Sequence, residues 1–312
     1  MSFIVKEING KEYKYVLKSV RLPDGKVVSL QKIYHNEPKK ELNKIFIEKE
    51  KQAYLNFVLK KFGEDYIINK KELEKIEKIR IDYRIIIKKL SKSSVKDLLD
   101  RFTANFTFES NALEGNSLTL KDVAIVMFEN ASIKGKDLRE IYETRNSRRV
   151  VDLIFKNKFS INHKDIIKIH KMLVKDINIQ TSYKKIPNFI LGSKVKTALP
   201  EKTHEEMDNL IRWYNDNIEK IHPIKLASIF HGKFEQIHPF EDGNGRVGRF
   251  LINIILIKNK YPPLIIRKSQ RVHYLKSLDD FDNNHKDSLE RFILERFKET
   301  YSKFFEIYVK YV

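Results

Sequence analysis

The chain has 312 residues, 41% of them hydrophobic and 33% charged, which is typical of a globular protein with one large domain plus an appendage, or with two domains. It contains no cysteine, which excludes disulfides and thiolate chemistry, and its apolar runs, such as Phe250 to Ile257, are far too short to span a membrane. The formal net charge is +19, but the excess is spread along the chain and no nucleic-acid-binding motif accompanies it. We therefore attribute the charge to a lysine-rich proteome rather than to a nucleic-acid partner, which is the competing interpretation.

The N-terminal stretch predicts a cytoplasmic protein that begins with a small sheet. Residues 1–6 lack the basic region and the longer apolar stretch of a secretory signal, and the absence of cysteine also fits the cytoplasm. Three segments rich in β-branched and aromatic residues follow, separated by the turn sequences Asn9-Gly10 and Pro23-Asp24-Gly25. They predict a three-stranded antiparallel meander within residues 1–37, with strands over Phe3–Ile8, Glu12–Val20 and Lys26–Tyr34.

From about Lys39 onward, apolar residues recur with the period of amphipathic helices. The pattern predicts an N-terminal helical region over residues 38–93 and a main domain over residues 94–312. Ser94 is predicted to cap a helix that ends at Gly115. The other predicted helices outside the central motif are Glu41–Phe62, Lys70–Leu90, Leu120–Glu129, Lys136–Lys156, Asn162–Asp176, Arg267–Asp279 and Lys286–Tyr308.

The helix predicted over residues 94–115 ends with a serine and a glutamate on one face. Ser110 and Glu114 are i and i+4, so their side chains are neighbours. The simplest interpretation is an ordinary helix end with a solvated glutamate. The alternative is that Glu114 is the anion that a buried arginine elsewhere in the chain needs.

Residues 186–200 break the helical pattern, with Pro187 and Pro200 on either side of a short apolar run. This stretch predicts either a short hairpin or a plain loop. After it, Thr203 is predicted to cap one helix and Pro223 to open another.

The histidines do not form a recognisable zinc motif. His163 and His170 lie in a helix whose apolar spacing indicates core, with no metal-like partner nearby. His222, His231 and His238 are nine and seven residues apart, which is not the spacing of metal ligands. We therefore expect no zinc site among them.

The turn Gly243-Asn244-Gly245 and the helix that it opens, predicted over Arg246–Lys260, point to chemistry. Small residues at a helix start leave backbone N–H groups free and facing outward, where the helix dipole is also positive. The backbone around Gly243, Asn244 and Gly245 therefore predicts an anion site.

Two arginines on this helix strengthen the prediction. The run from Phe250 to Ile257 is apolar all round except for Asn253, which predicts a buried central helix. Arg246, Arg249 and Asn253 fall at i, i+3 and i+7, on one face close to the turn. Two arginines at the positive end of a buried helix need an anionic partner. A polyphosphate fits the turn and the fork-shaped guanidinium donors better than carboxylates do.

Two residues just before this helix complete the candidate site. His238 is the nearby side chain that titrates near neutrality, which makes it the candidate general base. Asp242 offers hard oxygen ligands four residues on, and it suits Mg²⁺ shared with phosphate oxygens.

Residues 238–249, His-Pro-Phe-Glu-Asp-Gly-Asn-Gly-Arg-Val-Gly-Arg, resemble the Fic motif HxFx(D/E)GNGRxxR, with every defining position filled. The resemblance covers about residues 95–290 and is only loose before them. It implies a mainly α-helical bundle around the buried motif helix, with a short β-hairpin flap. The small N-terminal antiparallel β meander would be attached to this bundle.

The resemblance also implies a reaction and the roles of the motif residues. His238 would deprotonate a Ser, Thr or Tyr hydroxyl on a target protein, whose oxygen attacks the α-phosphate of ATP and releases Mg-pyrophosphate. The backbone of the glycine turn would hold the α-phosphate, while Arg246 and Arg249 hold the β- and γ-phosphates. Phe240 would anchor the loop in the core, and Asn253 would support the phosphate face.

The hexapeptide Ser110 to Gly115 resembles the inhibitory motif (S/T)xxxE(G/N) of the same family. The resemblance implies that Glu114 pairs with Arg249 and prevents productive seating of the γ-phosphate. The resting enzyme would then be nearly silent.

Three further features follow from the resemblance. Residues 186–200 would form the flap, which aligns the target peptide by strand addition. Tyr274 would lie near the nucleotide base, although a core tyrosine fits its position equally well. Relatives with an N-terminal inhibitory motif are often dimers, which makes a homodimer a further expectation.

Three other functions stay open. The same site would serve a hydrolase in which the inhibitory glutamate orients a water that removes AMP from the target. A transferase with another donor would move UMP, phosphocholine or phosphate, although the complete motif favours a nucleoside triphosphate. A protein of a different class would be a non-catalytic binding or scaffold protein that uses its basic surface and its β meander.

Overall fold

The computed structural model describes residues 1–188 and 197–312 of the chain. They divide into two compact units, Met1–Ile81 and Asp82–Val312. The division of the chain at residues 38 and 94 stays a prediction. No described helix is long and apolar enough to cross a membrane.

The first unit opens with the predicted meander. Strands β1 (Ser2–Ile8), β2 (Lys11–Arg21) and β3 (Val27–Ile33) pair antiparallel in the order β1-β2-β3. Asn9 and Gly10 connect the first two strands, and both have the positive φ that a two-residue hairpin turn requires. Buried Val16 of β2 packs with Leu42 and Phe46, so the sheet and the helix that follows it share a core.

Within the described residues, all regular elements after β3 are helices, which confirms the predicted mainly α class. The first is α1 (Lys39–Phe62), and α2 (Lys70–Lys89) begins in the first unit. Short irregular helices lie at Ile125–Glu129, Lys268–Gln270, Tyr301–Phe305 and Glu306–Tyr311. The other helices are α3 (Lys92–Leu113), α4 (Leu120–Ala124), α5 (Leu138–Phe155), α6 (His163–Leu173), α7 (Pro200–Asn217), α8 (Pro223–Ile237), α9 (Asn244–Lys258), α10 (Arg271–Asp282) and α11 (Lys286–Thr300).

Two predicted helix caps are wrong. Ser91, not Ser94, caps α3, because the Ser91 hydroxyl accepts the backbone N–H of Ser94 from the first turn. Thr203 lies inside α7, where its hydroxyl donates to the carbonyl of Leu199 one turn earlier. Pro200 starts this helix instead, because a proline at the first helical position loses no backbone hydrogen bond.

The motif helix α9 lies at the centre of the second unit, as its apolar sequence predicts. Every residue from Arg246 to Leu256 is buried. Gly248 brings α9 close to α8, because a Cβ at this position would lie only 2.7 Å from Nδ1 of His231. Phe250 adds an edge-to-face contact with Phe106 of α3 at 5.1 Å between ring centres. Helices α3 and α8 therefore both pack on the motif helix.

Candidate functional site

The loop between α8 and α9 is held in place by its own residues. His238 ends α8 with a left-handed backbone, and Gly243 precedes α9 with φ +82°. The buried Asn244 side chain accepts the N–H of Phe240 at 2.8 Å and donates to the Phe240 carbonyl at 2.7 Å. Because this amide closes the loop, the backbone N–H groups at the start of α9 keep their outward direction.

Phe240 fixes the loop to the rest of the domain. Its fully buried ring stacks on His170 of α6 with 3.8 Å between ring centres and 4° between planes. Burial lowers the pKa of His170 to about 4, so the ring is neutral at physiological pH. Its Nε2 bonds the Asp242 carbonyl at 3.0 Å. The core contact of Phe240 and this hydrogen bond to Asp242 hold the loop at two points.

Arg249 is buried and fully engaged by α3. Its Nε donates to the Ser110 hydroxyl at 2.9 Å, and its Nη2 donates to the Ser110 carbonyl at 2.8 Å. The same Nη2 lies 2.7 Å from Oε1 of Glu114. Three acceptors from one helix end therefore surround a single guanidinium group.

The Glu114 carboxylate occupies the start of α9. A Cβ added to Gly245 would collide with Oε1 of Glu114, which shows how closely the carboxylate approaches the helix backbone. Burial raises the pKa of Glu114, but the charge and hydrogen bond of Arg249 outweigh burial and leave this pKa below its usual value. Glu114 is therefore ionised at neutral pH, and an anion lies at the positive end of the motif helix.

Arg246 is less completely satisfied than Arg249. Its Nη1 lies 3.2 Å from Oε1 of Glu143 on α5, and its Nη2 lies 3.9 Å from Oδ2 of Asp242. Within the described chain, Nε and Nη1 of Arg246 make no hydrogen bond of good geometry, although the side chain is 2% exposed. Buried guanidinium N–H groups without a hydrogen bond of good geometry are free to donate to a further acceptor at this point.

Asp242 is half-exposed beside these arginines. One of its oxygens accepts the N–H of Gly243, and the other pairs with Arg139 of α5 at 2.5 Å. A half-exposed carboxylate next to a phosphate-binding helix start fits Mg²⁺, which usually takes one or two protein carboxylates together with substrate phosphates. Arg139 is a competing partner that a magnesium ion would have to replace.

His238 faces a second carboxylate that the motif does not contain. Oε2 of Glu235 lies 3.7 Å from Nδ1 of His238, and Oε1 lies 3.8 Å from Nδ1 of His231. Burial lowers the pKa of His238 to about 4 and raises the pKa of Glu235 to about 8. At neutral pH both groups are therefore uncharged, and His238 is available as a proton acceptor.

Sequence reasoning missed several residues that contact the motif. Arg139 and Glu143 form an i, i+4 pair on α5, which by itself is typical of any solvated helix. Lys184 is buried, and it donates its backbone N–H to the Pro239 carbonyl at 2.8 Å. Burial lowers the pKa of Lys184 to about 8. The i, i+3 spacing of Glu235 and His238 was the one signal that could have identified Glu235.

Two residues predicted to bind nucleotide make contacts within the protein. Both ends of the Asn253 amide bond the backbone of Leu264, at 3.0 and 2.8 Å, so this side chain fastens the segment after α9, and its support of the phosphate face stays a prediction. Tyr274 is buried on α10, and its hydroxyl lies 2.7 Å from Nε2 of His231. Tyr274 therefore packs in the core, and its place near the nucleotide base stays a prediction.

The flap predicted over residues 186–200 lies largely outside the described residues. At its two described ends, Asn188 donates to the Phe240 carbonyl at 2.7 Å and the Thr197 hydroxyl donates to the Asn188 carbonyl at 2.9 Å. The base of this segment therefore contacts the motif loop.

The fold and the motif define a mainly helical domain built around one buried helix and the loop that precedes it. Residues 160–256 match the model of the Fic/DOC family. Residues 160–256 are therefore the part of the chain that matches this family, and they include residues 238–249, which carry the resemblance described above.

Known proteins resemble the chain over this domain. Protein adenylyltransferase Fic of Drosophila erecta is 30% identical over 183 residues, which are 56% of this chain and 37% of that protein. Its namesake from Nematostella vectensis is 31% identical over 186 residues, which are 58% of this chain and 43% of that protein. The matched region thus spans less than half the length of these curated relatives.

Two solved structures share the fold. A Fic domain containing signaling protein from Bacteroides thetaiotaomicron superimposes with a TM-score of 0.66 and 25% identity, over 75% of this chain and 95% of that chain. Fic-1 from C. elegans gives a TM-score of 0.68 with 21% identity, over 78% of this chain and 73% of that chain.

Proposed function

We propose that this protein is an adenylyltransferase that moves AMP from ATP to a Ser, Thr or Tyr hydroxyl of a target protein. The observation that carries the proposal is the occupied start of α9. There an ionised carboxylate from Glu114 lies against Gly245 and Arg249, where the helix N-terminus attracts anions. A site that holds a carboxylate so closely suits the more highly charged phosphates of ATP. The names of the matched relatives support the same activity.

His238 would act as the general base. Because its pKa is about 4, the ring is neutral at physiological pH and accepts the proton of the target hydroxyl. The deprotonated oxygen then attacks the α-phosphorus, a new P–O bond forms, and the bond to the β-phosphate oxygen breaks. Backbone N–H groups of Gly243, Asn244 and Gly245 would hold the α-phosphate as charge shifts onto its oxygens.

Three side chains would hold the departing pyrophosphate. Arg246 has guanidinium donors without good hydrogen-bond partners, and Arg249 would exchange Glu114 for a phosphate oxygen. Asp242 would hold Mg²⁺ together with phosphate oxygens. When bound, the ion would neutralise charge on the phosphates.

We infer that Glu114 keeps the resting protein inactive. Its carboxylate takes the Nη2 donor of Arg249 and fills the space beside Gly245. A γ-phosphate seated on Arg249 would therefore have to displace a bonded anion. Glu114→Gly removes this anion and leaves both arginines in place, so it is expected to increase AMP transfer at least about tenfold, which corresponds to roughly 1.4 kcal/mol in the barrier.

The test is transfer of radiolabel and mass from ATP labelled at the α position, in the presence of Mg²⁺. The proteins compared are wild type, Glu114→Gly, Glu114→Gly/His238→Ala and the control Glu129→Gly, which removes an exposed glutamate. Strong labelling is expected in Glu114→Gly alone, because general-base catalysis contributes on the order of 10²–10⁴-fold. Equal labelling of wild type and Glu114→Gly would refute inhibition by Glu114.

Failure of all forms to transfer label from ATP would refute adenylyl transfer. Parallel reactions with UTP, a phosphocholine donor and a γ-labelled nucleotide then distinguish the other transferases. Release of AMP from a modified protein by wild type, but not by Glu114→Gly, would instead indicate a hydrolase that uses this carboxylate. No Mg-ATP binding by any form would favour a binding or scaffold protein.

Target docking by a flap at residues 186–200 and homodimer formation are further parts of the proposal. The described ends of the flap contact the motif loop through Asn188, which supports a role close to His238. Replacement of residues 189–196 by a Gly-Ser linker tests the flap by loss of target labelling with Mg-ATP binding retained. Light scattering of the purified protein tests the dimer.

A further inference from the structure

Three side chains with metal-binding atoms converge on a surface that the proposed reaction does not use. His163 stands at the start of α6, and His204 and Asp208 lie one turn apart on α7. One ligand atom from each residue lies within 4.8 Å of the other two. The expectation that His163 has no metal-like partner is therefore wrong, because its partners come from another helix.

Contacts within the cluster already resemble a coordination set. Asp208 presents Oδ1 to Nε2 of His163 at 2.8 Å and Oδ2 to Nδ1 of His204 at 3.0 Å. The two imidazole rings are stacked with 4.7 Å between centres and 11° between planes. An ion with bonds of about 2.0–2.2 Å separates neighbouring ligand atoms by roughly 3.3 Å. To admit one, Asp208 moves a few tenths of an ångström from each nitrogen, roughly the difference from 2.8 and 3.0 Å, and the stacked rings turn so that their lone pairs converge.

A further hydrogen bond orients the first ligand. Nδ1 of His163 lies 2.8 Å from the Tyr183 hydroxyl, which leaves Nε2 directed towards Asp208. Histidines that bind metals usually engage their second ring nitrogen in this way, and the bond fixes the ring and its tautomer. The ring of Tyr183 also lies edge-on to His204, at 6.0 Å between ring centres.

The cluster is accessible from solvent. The side chains of His163, Asp208 and His204 are 26%, 47% and 71% exposed, so an ion reaches them without unfolding. Two imidazoles and one carboxylate suit Zn²⁺ and related divalent transition metals better than Mg²⁺ or Ca²⁺, which prefer oxygen ligands throughout.

We propose that His163, His204 and Asp208 form a binding site for a divalent transition-metal ion of the Zn²⁺ class. Three protein ligands leave the fourth tetrahedral position to water. The ion ties α6 to α7 next to the segment that supports the motif loop. Tyr183 is followed by Lys184, which donates to the Pro239 carbonyl, and the Tyr183 ring packs 5.5 Å from Phe240.

The test uses the 312-residue chain after removal of metals by EDTA and exchange into EDTA-free buffer. Zn²⁺ is titrated calorimetrically at pH 7.5, and Co²⁺ is used as a probe whose visible absorption reports tetrahedral coordination. The variants are His204→Ala and Asp208→Asn. The matched control is His273→Ala, which removes an exposed histidine from α10.

We expect one Zn²⁺ per chain in wild type and in His273→Ala, with a higher unfolding temperature when the ion is bound. His204→Ala and Asp208→Asn are each expected to weaken binding at least about tenfold and to abolish the Co²⁺ spectrum. His204 is largely exposed, so its loss leaves the fold intact. The proposal is overturned if wild type binds no ion, or if all four proteins bind alike. Neither result depends on AMP transfer, so this proposal and the proposed function fail separately.

Discussion

His238 owes its expected chemistry to burial more than to its position in the motif. A free imidazole is half protonated near pH 6.5, whereas burial lowers the pKa of His238 to about 4. Below this folded-state pKa the ring carries a proton and cannot act as a base, and above it the ring is neutral. The labelling rate of Glu114→Gly, measured as kcat/KM, should therefore stay constant from about pH 5.5 to 7.5 and fall only towards pH 4. A half-maximal rate near pH 6.5 would contradict this prediction.

Glu235 is expected to affect the basicity of His238 at alkaline pH. Its pKa is about 8, so the carboxylate gains its charge above that pH, 3.7 Å from Nδ1 of His238. A negative charge at this distance raises the basicity of the ring, and the rate of Glu114→Gly should increase modestly between pH 7.5 and 9. Adding Glu235→Gln should remove the increase and leave the acid side of the profile unchanged. An identical increase in both proteins would assign it to another group.

At the scale of elements, the contact between α8 and α9 depends on the absence of a side chain at Gly248. A Cβ there would lie 2.5 Å from Oε1 of Glu235 and 2.7 Å from Nδ1 of His231, both of them buried. Alanine improves helix propensity by about 1 kcal/mol, but overpacking a core costs roughly 1–3 kcal/mol. We expect Gly248→Ala to lower the free energy of unfolding by urea, and Glu235→Ala to restore part of the loss in the double variant. A free energy of unfolding equal to that of wild type would contradict this prediction, because it would show that α8 and α9 accommodate the extra methyl group without cost.

The elements also show what the sequence could predict. Local signals placed the three strands, the glycine turn and the buried helix α9, because each depends on neighbouring residues. The cap of α3 is Ser91 rather than Ser94, and the sequence did not distinguish them because several serines near this helix start could serve as the N-cap. The contacts of Asn253 and Tyr274 could not be predicted, because their partners, Leu264 and His231, come from other parts of the chain. The ion pair of Arg139 with Asp242 joins residues 103 positions apart, and no local pattern indicates it.

For the whole molecule, the occupied start of α9 would link the proposed binding of ATP to stability. Ligand at about 100 times its Kd stabilises a folded protein by roughly 2.7 kcal/mol, provided that it binds only the folded state. If Glu114 inhibits as proposed, wild type must first lose the contact of Glu114 with Arg249, so part of the binding free energy is consumed there. At equal concentrations of Mg-ATP, Glu114→Gly should therefore gain more in unfolding temperature than wild type, by several degrees at roughly 2–4 °C per kcal/mol.

The companion variant separates binding from catalysis in this experiment. His238 is expected to accept a proton rather than to hold phosphate, so Glu114→Gly/His238→Ala should keep the full thermal shift although it transfers no AMP. Arg249→Ala in the same background should lose most of the shift, because the guanidinium that now holds Glu114 would be missing. Each protein is compared with and without Mg-ATP, so that any effect of Arg249→Ala on the unfolding temperature of the unliganded protein does not enter the thermal shift. Equal shifts in wild type and Glu114→Gly would mean that the glutamate and the nucleotide do not compete. In that case Glu114 would have to inhibit after binding, by misplacing the phosphates relative to His238.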